Sequence, residues 1–336
     1  MRRLVLQTAL AAAAALALLG TAAAQDIKER TLKLGLQNPK GHPVVMGAEK
    51  FAEIVGAKSG GKIKVTLFPG GVLGSDAATV LAVQGGTVEM TILNSGILAA
   101  QVKEFAVYDF PFIFANAKEA DAVVDGPFGK AMHAKLAERG IIGLGYFELG
   151  FRDLTNGRRP IHKVEDIAGL KLRVIPNPIN IDWVKALDAN PTPLAFPELY
   201  AALEQKAVDG QENPVSVILA NKFAEVQKYL TLTHHQYNPQ SVIISKKVWD
   251  TMGPAERQIL LEAAAEAGRY ERQVSRDQAD STVDQLKKAG MQVTELPPAE
   301  QAKLREKMKP VIDKHAATVG EATVRELNAE LAKLRK

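Results

Sequence analysis

Apolar and polar residues follow two different periods along the first part of the chain. In three short segments the apolar side chains alternate with polar ones, a period of two that is typical of β-strands. Between these segments apolar residues recur every three or four positions, as they do in helices, and Pro43 is suited to the first turn of the first helix. The pattern predicts strands over 32–37, 63–67 and 89–93, and helices that begin near 43 and 75.

The alternation of strand and helix continues beyond the middle of the chain. It predicts a helix over about 118–139, a strand near 143–148, a strand over 171–175, and helices near 180–188 and 197–207. Strands that alternate with helices favour a largely parallel sheet covered by helices on both faces. We therefore predict an α/β fold, and 336 residues suit two domains of about 150 residues each.

The last third of the chain differs because it contains a long proline-free segment of helical composition, bounded by Pro254 and Gly290. A single helix over 254–289 would be about 50 Å long, since each residue adds about 1.5 Å. Such a helix is long enough to cross two lobes. Two shorter helices broken near Gly268 or Ser281 fit the composition equally well.

The N-terminus has the three parts of a secretory signal: Arg2-Arg3, an uncharged Ala-rich and Leu-rich run, and the small residues Ala22-Ala23-Ala24. We expect cleavage after Ala24 and export to the periplasm, with an uncleaved membrane anchor as the alternative. Removing the two arginines lowers the formal net charge from +4 to +2, which gives no electrostatic reason to bind nucleic acid.

Sequence signatures of catalysis and of cofactor binding are incomplete. The segment 56–62 begins like a phosphate-binding loop, but Ile63 replaces the hydroxyl residue and a helix precedes the segment where a strand is needed. The chain has no cysteine, and its histidines lack metal-binding spacing. No nucleophile with a matched base is evident. We therefore expect a protein that is not an enzyme and needs no metal or cofactor, and a periplasmic enzyme with an unrecognised site remains the alternative.

Polar residues at the ends of predicted strands are candidates for ligand binding, because open α/β sheets bind ligands there. Arg152 follows the strand that ends the first half, Arg173 interrupts an apolar strand, and Asn213 lies in a polar turn before an apolar helix. An arginine inside a sheet either pairs with an acidic residue or faces a ligand. The residues themselves leave both possibilities open.

Three segments together resemble the solute-binding proteins of TRAP transporters (the DctP-like family): Gly169–Val174, Pro191–Leu203 and Val208–Pro214. The segments 41–43, 68–74 and 109–114 fit the same family in the same order. The resemblance implies a periplasmic receptor with two lobes, a hinge, and a long helix that spans both. It also implies that a ligand bound between the lobes is delivered to the membrane subunits of a sodium-coupled permease. We expect lobe I to comprise 25–150 and about 239–278, lobe II to comprise 151–238 and about 279–336, and the protein to be a monomer.

The resemblance also assigns site residues. Arg173 matches the family arginine that pairs with a ligand carboxylate, Arg152 a second arginine at that carboxylate, and Asn213 an asparagine opposite. The remaining candidates for the pocket are Gln37, Asn94, Phe196, His42 and Trp183. Trp183 suits the core as well as the pocket wall.

The expected ligand is a small organic acid, because a guanidinium group binds a carboxylate through two parallel hydrogen bonds. The two arginines and Asn213 would saturate one carboxylate, and His42, if protonated, is the only nearby cation for a second one. Gln37 and Asn94 suit hydroxyl groups. This set favours a hydroxylated monocarboxylate or a sugar acid, with a C4-dicarboxylate as the alternative.

Overall fold

A computed structural model describes residues 27–335, so the predicted signal segment lies outside the described residues. One mixed sheet runs through this part of the chain. Its strands are β1 Arg30–Leu36, β2 Ile63–Phe68, β3 Met90–Asn94, β4 Ile141–Asn156, β5 Lys171–Val174, β6 Asn190–Pro193, β7 Gly210–Asn213, β8 Tyr229–Ser245 and β9 Gln292–Glu295. Their order in the sheet is β2-β1-β3-β8-β4-β7-β5-β6, and β9 pairs with β8.

Helices cover both faces of the sheet, as predicted. They are α1 Pro43–Lys58, α2 Asp76–Gly85, α3 Ala117–Asp125, α4 Pro127–Lys135, α5 Pro178–Lys185, α6 Leu199–Glu204, α7 Val215–Ala220, α8 Lys246–Trp249, α9 Pro254–Lys288, α10 Pro298–Val319 and α11 Glu321–Leu334. Short 3-10 helices lie at Ser95–Ala100, Lys103–Asp109, Leu136–Arg139, Val164–Ile167, Phe196–Glu198 and Phe223–Glu225.

The prediction of a largely parallel sheet holds for the two outer parts of the sheet, β2-β1-β3 and β7-β5-β6, which we call its parallel parts. It is wrong for the central strands. The pairs β1–β2, β1–β3, β5–β6 and β5–β7 are parallel. The central strands β4 and β8 pair antiparallel with each other and with their neighbours β7 and β3. They have 16 and 17 residues, far longer than the predicted strand over 143–148, and they join the two parallel parts.

Two apolar cores lie on opposite faces of this sheet. Successive residues of β8 alternate between them: Ile243 belongs to one core, and Val242 and Ile244 to the other. The first core is closed by α2 to α5, α10 and α11, and the second by α1, α6, α7 and α9. This alternation is what a strand buried on both faces requires.

The predicted helix over 118–139 is wrong in its continuity. It is interrupted at Gly126-Pro127, where α3 ends and α4 begins. A proline lacks the amide hydrogen of the helix ladder and restricts the preceding residue to extended conformations. Gly126 is accordingly extended, with ψ −171°. Pro127 and the extended residue before it therefore break the helix, which the spacing of apolar residues did not predict.

The segment bounded by Pro254 and Gly290 forms one continuous helix, α9, of 35 residues. It packs against α1 and against β4, and it also contacts α7, so it touches elements from both parallel parts of the sheet. Of the two alternatives left open by the sequence, the single long helix is the one that forms.

Candidate functional site

A cavity lies where strands from both parallel parts of the sheet end. Gln37 directly follows β1, Asn94 ends β3, and Asn213 ends β7, while Arg173 belongs to β5. The cavity has a volume of about 40 Å³, far below the roughly 300–1,000 Å³ of a typical small-molecule site, so in this structure it has room for only a few water molecules. The lining residues are Gln37, Asn38, Asp76, Ile92, Asn94, Ile97, Leu149, Arg152, Arg173, Ile175, Phe196, Asn213, Val217 and Gln240.

Arg173 is a buried cation with unused hydrogen-bond donors. Its side chain is 2% exposed, and its Nε donates to the carbonyl oxygen of Leu194 at 2.8 Å. Its guanidinium carbon lies 5.8 Å from the centroid of the Phe196 ring. Within residues 27–335, neither Nη atom donates to a protein acceptor, and the side chain has no ion pair. Burial lowers the pKa of Arg173 to about 10, against the attraction of Glu212, so the group stays charged at neutral pH.

Arg152 also lines the cavity, but its donors are engaged by protein groups. Its Nε and Nη2 donate to the carboxylate of Glu212, and its Nη1 donates to Asn238 Oδ1 at 2.7 Å. Burial raises the pKa of Glu212, and Arg152 together with His235 outweighs that effect, so the pKa falls to about 2. Arg152 is therefore one half of a buried salt bridge, while Arg173 is not. That Arg152 also touches a ligand stays a prediction.

The predicted amides face the same cavity. Gln37 Nε2 donates to the carbonyl oxygen of Gly74 at 2.9 Å, and Asn94 Oδ1 accepts from the amide of Gly96 at 3.3 Å. Asn213 Nδ2 donates to Gln211 Oε1 at 2.5 Å. The other polar atoms of the first two residues, Gln37 Oε1 and Asn94 Nδ2, are buried and have no hydrogen-bond partner within residues 27–335. An unsatisfied buried polar atom costs about 1–3 kcal/mol, which a polar ligand would recover.

Three polar lining residues were not predicted from the sequence: Asn38, Asp76 and Gln240. Gln240 lies on β8 directly opposite Asn94 in the strand register, and only the pairing of distant strands reveals this position. Asp76 is the first residue of α2, after the N-cap Ser75, and a Ser-Asp pair at that position suggests helix capping alone. The sequence feature that could have identified Asp76 as a lining residue is the neighbouring turn at 68–74, which is part of the family resemblance.

His42 and Trp183 are not among the residues that line the cavity, and that either one contacts a ligand stays a prediction. His42 is the N-cap of α1, where its Nδ1 accepts from the amide of Val44 at 3.2 Å. Burial lowers the pKa of His42 to about 3, so it supplies no positive charge at neutral pH. Trp183 packs in the core beside His235, with ring centroids 4.7 Å apart. Helix capping and core packing therefore account for these two residues.

The cavity offers one cation with free donors, several amides and an apolar wall that includes Phe196. This chemistry suits recognition of an anion with hydroxyl groups. In the described residues no three His, Asp or Glu side chains are arranged to hold a metal ion. A buried chain of hydrogen bonds joins Ser95, Ser241 and His133, but burial lowers the pKa of His133 to about 3, and none of the three lines the cavity.

Comparison with known proteins identifies the family. Residues 34–318 match the family described as "Bacterial extracellular solute-binding protein, family 7". The chain is 36% identical over 268 residues to the 2,3-diketo-L-gulonate-binding periplasmic protein of Escherichia coli, covering 80% of this chain and 82% of that protein.

Solved structures agree with this match. A TRAP periplasmic solute-binding protein from Ochrobactrum anthropi is 55% identical, with a TM-score of 0.83 over 92% of this chain and 97% of that one. A sugar acid-binding protein from Advenella mimigardefordensis in complex with galactonate is 40% identical, with a TM-score of 0.90 over 92% and 99%. The two-lobed fold and the role of solute receptor rather than enzyme, both expected from the sequence, are confirmed. The chain belongs to family 7 of the bacterial extracellular solute-binding proteins, the receptors of TRAP transporters.

Proposed function

We propose that this protein is a periplasmic receptor that binds a hydroxylated monocarboxylate, such as a sugar acid, and delivers it to a sodium-coupled TRAP permease. The observation that carries the proposal is the buried guanidinium of Arg173, whose Nη atoms have no acceptor among the described residues. A charged group in such a place needs an anionic partner, and it shares the cavity lining with the amide side chains of Gln37, Asn94 and Asn213. The similarity to receptors named for diketogulonate and galactonate supports an acid of this class.

Each polar residue has a distinct part in this proposal. Arg173 holds the ligand carboxylate through two parallel hydrogen bonds, and Asn213 and Arg152 flank it. Gln37 and Asn94 bind hydroxyl groups, and Phe196 packs against the carbon chain. A second carboxylate has no cation left to bind, because Arg152 is paired with Glu212 and His42 is neutral.

We also propose that ligand binding closes two lobes about a hinge in the central strands. Gly150 of β4 pairs with Asn238 of β8, and the register shifts between Glu148 and Gly150. These positions coincide with the lobe boundaries at 150 and 238 expected from the sequence. An interruption of the strand ladder favours bending at this point, because bulged strands bend locally. In this proposal the last helix belongs to lobe I, because α11 packs against α3 and α4.

The location and partners follow from the same assignment. The exported form begins after Ala24 in this proposal, and no helix in residues 27–335 is long and apolar enough to cross a bilayer. The receptor acts as a monomer that docks on the membrane subunits of the transporter. It needs no cofactor and binds no nucleic acid.

The function is tested by a thermal-shift screen over aldonates, branched hydroxy acids, keto acids and C4-dicarboxylates. A ligand at 100 times its Kd adds about 2.7 kcal/mol to the free energy of unfolding, so a hydroxylated monocarboxylate is expected to raise Tm clearly. Incubation with the same acid should yield no product. A shift by succinate or malate, with none by any hydroxy monocarboxylate, would contradict the proposed ligand class.

The role of Arg173 is tested by substitution. Arg173→Ala is expected to weaken binding about thirtyfold to several thousandfold, because removing one partner of a buried charge pair costs about 2–5 kcal/mol. Arg173→Lys should also lose much of the affinity, since an ammonium group cannot form the two parallel bonds. Arg325→Ala, at an exposed arginine of α11, is the control and should bind like the wild type. Affinity near that of the wild type in either Arg173 variant would remove this residue from the site.

A further inference from the structure

A second cavity lies between helices α4 and α9. It is an open groove with a volume of about 590 Å³, within the roughly 300–1,000 Å³ of a typical small-molecule site. Among the described residues it shares no lining side chain with the cavity that contains Arg173. Most of its lining residues are apolar and many are small, including Ala134, Ala137, Ala264 and Ala265. The groove is therefore a candidate for a separate binding site.

The floor of the groove is one edge of strand β4. Five consecutive residues, 142–146, line it, whereas only alternate residues would line a groove over the face of a sheet. On this side, within residues 27–335, β4 pairs with β7 only from Asp153 onwards. The register of β4 shifts at Leu144, and a bulged edge resists the addition of another strand. Arg272 of α9 also donates to the carbonyl oxygen of Tyr146, so this edge favours a small molecule over a peptide.

The two walls of the groove run in opposite directions along β4. Helix α9 starts near the beginning of β4, because β8 ends opposite that point and α9 follows shortly afterwards, and Arg272 further along α9 reaches Tyr146. On α4 the order is reversed. The carbonyl oxygen of Gly129 accepts from the Tyr146 hydroxyl at 2.9 Å, and a Cβ at Gly143 would lie 2.2 Å from the ring of His133. The early part of α4 and the late part of α9 therefore meet at one end of the groove.

Positive charge is concentrated at this end. Arg272 pairs there with Asp125, so these two charges neutralise each other. Lys130 of α4 and Arg269 of α9 also line the groove, and both are exposed. Within residues 27–335 neither of these two side chains has an ion pair. One unpaired cation on each wall attracts an anionic group to this end.

The opposite end of the groove is apolar. It is formed by Ala137, Ile142 and Leu261, and Leu261 is 37% exposed although its side chain is large and apolar. About 12 Å along the axis of α9 separates Leu261 from Arg269, since each residue adds about 1.5 Å. A molecule that covers both ends therefore has an anionic head and an apolar body of about this length.

We propose that the groove is a second binding site and that it takes a straight-chain carboxylate of medium length. The carboxylate lies between Lys130 and Arg269, and the alkyl chain extends past Ala265 to Leu261. A chain of roughly eight to ten carbons matches the ~12 Å between the two ends. The acyl chains of membrane lipids are longer, so the ligand is the free acid. This inference does not depend on the proposed function, because different residues line the two cavities.

A series of chain lengths tests the dimensions of the groove. Hexanoate, octanoate, decanoate and dodecanoate are titrated by calorimetry into the Arg173→Ala protein, in which the first cavity lacks its cation for a carboxylate. From hexanoate to decanoate the Kd should fall about twofold to fourfold for each added methylene group, because more apolar surface is buried. The gain should stop at dodecanoate, whose chain extends past Leu261. An affinity that does not depend on chain length would overturn the proposal.

Large side chains placed in the groove test its location. Ala265→Trp obstructs the groove from α9 and Ala134→Trp obstructs it from α4, so the result stands if one of them folds poorly. Each folded variant should bind octanoate at least about tenfold more weakly than its parent protein. Ala279→Trp, at an exposed alanine of α9 outside the groove, is the matched control and should bind octanoate like the parent. Equal binding by the control and by a folded groove variant would contradict the site.

Removing the two cations tests the position of the carboxylate. Lys130→Gln combined with Arg269→Gln should weaken octanoate binding about threefold to tenfold and leave the binding of 1-octanol, which has no charge, unchanged. Arg325→Gln combined with Lys309→Gln removes two exposed positive charges elsewhere and should change neither ligand. The absence of a selective loss for octanoate would overturn the assignment of the anionic head.

The outcomes separate this site from the proposed receptor function. Ala265→Trp made in the wild-type protein should bind the hydroxy acid as the wild type does, since Ala265 does not line the first cavity. Octanoate binding that is lost in Arg173→Ala and kept in Ala265→Trp would place this acid in the first cavity and overturn the second site. Failure of every hydroxy acid to bind, with octanoate bound as expected, would contradict the receptor function and support the second site.

Discussion

Arg152 and Arg173 are both buried and lie on strands that flank β7, yet they differ in what holds them. The carboxylate of Glu212 neutralises Arg152, whereas Arg173 donates to a backbone carbonyl oxygen, lies near the Phe196 ring and has no ion pair among the described residues. A buried pair is destabilised strongly when one member is removed, because the other charge stays behind. The Arg152–Glu212 pair should therefore matter for the stability of the ligand-free protein much more than Arg173 does.

Glu212→Gln is expected to lower the free energy of unfolding by about 3–5 kcal/mol, since it leaves the Arg152 guanidinium buried without its counter-charge. Urea denaturation followed by circular dichroism measures this change. Glu330→Gln, at an exposed ion pair with Lys333, is the control and should change stability by less than about 1 kcal/mol. Arg173→Ala should leave the ligand-free stability nearly unchanged. A Glu212→Gln variant as stable as the control would show that the pair does not hold the fold.

At the scale of elements, a helix end accounts for His42, which the sequence had suggested for the ligand. His42 caps α1 through a neutral ring nitrogen, and burial keeps its pKa at about 3. In the unfolded chain the same group titrates near ~6.5. Below that pH the unfolded state binds a proton that the folded state does not, so His42 contributes stability above about pH 6.5 that is lost as the pH falls.

His42→Asn is expected to reduce the pH dependence of stability. Asparagine is a better N-cap than histidine and does not titrate. Between pH 6 and 4 the slope of the unfolding free energy against pH should fall by up to ~1.4 kcal/mol per pH unit relative to the wild type. The comparison with wild type matters because burial also raises the pKa of Asp76 and Asp109 to about 7, which acts in the opposite direction. His162→Asn, at an exposed histidine, is the control, and equal slopes in the two variants would contradict the assignment.

At the scale of the whole molecule, the cavity is bounded by contacts between the two parallel parts of the sheet. Gly71 follows β2 and has φ +71°, a conformation that favours glycine. A Cβ placed there would lie 2.9 Å from Gln37 Oε1 and 3.3 Å from Pro197 Cγ, which belongs to the other part. The neighbouring Gly70 has φ +78°, and a Cβ there would meet nothing within 4 Å.

The contrast between these two glycines tests the proposed closure of the two lobes around the ligand. Gly71→Ala should weaken ligand binding by about tenfold, equivalent to ~1.4 kcal/mol, because the added methyl group displaces the Gln37 side chain and opposes the approach of Pro197. Gly70→Ala carries the same backbone strain without the contact, so its affinity should stay within about threefold of the wild type. Stopped-flow measurement of dissociation should assign the loss mainly to a faster off-rate. Equal effects of the two substitutions would mean that strain, and not closure, is responsible.

The sequence by itself determined the local elements and the chemical type of the site. Apolar periodicity located the strands at 32–37, 63–67 and 89–93 and the helix that begins at Pro43, because both depend on neighbours close along the chain. Proline and glycine bounded the long helix α9. The segments around Arg173 and Asn213 carried the family resemblance, and both residues line the cavity.

Only the tertiary structure decided how these parts combine. Whether an arginine in a strand is paired depends on which distant strand lies beside it. Strand β7 brings Glu212 next to Arg152, 60 residues away, whereas in the part of the chain that the structure describes no acid lies at hydrogen-bond distance from Arg173. Asp76 is a second example. Its local sequence indicates the start of a helix, and its position in the cavity lining follows from the packing of α2. Burial then sets the pKa of His42 and Asp76. Desolvation and charge pairing act through space between residues far apart in the chain, so local pattern alone does not reveal them.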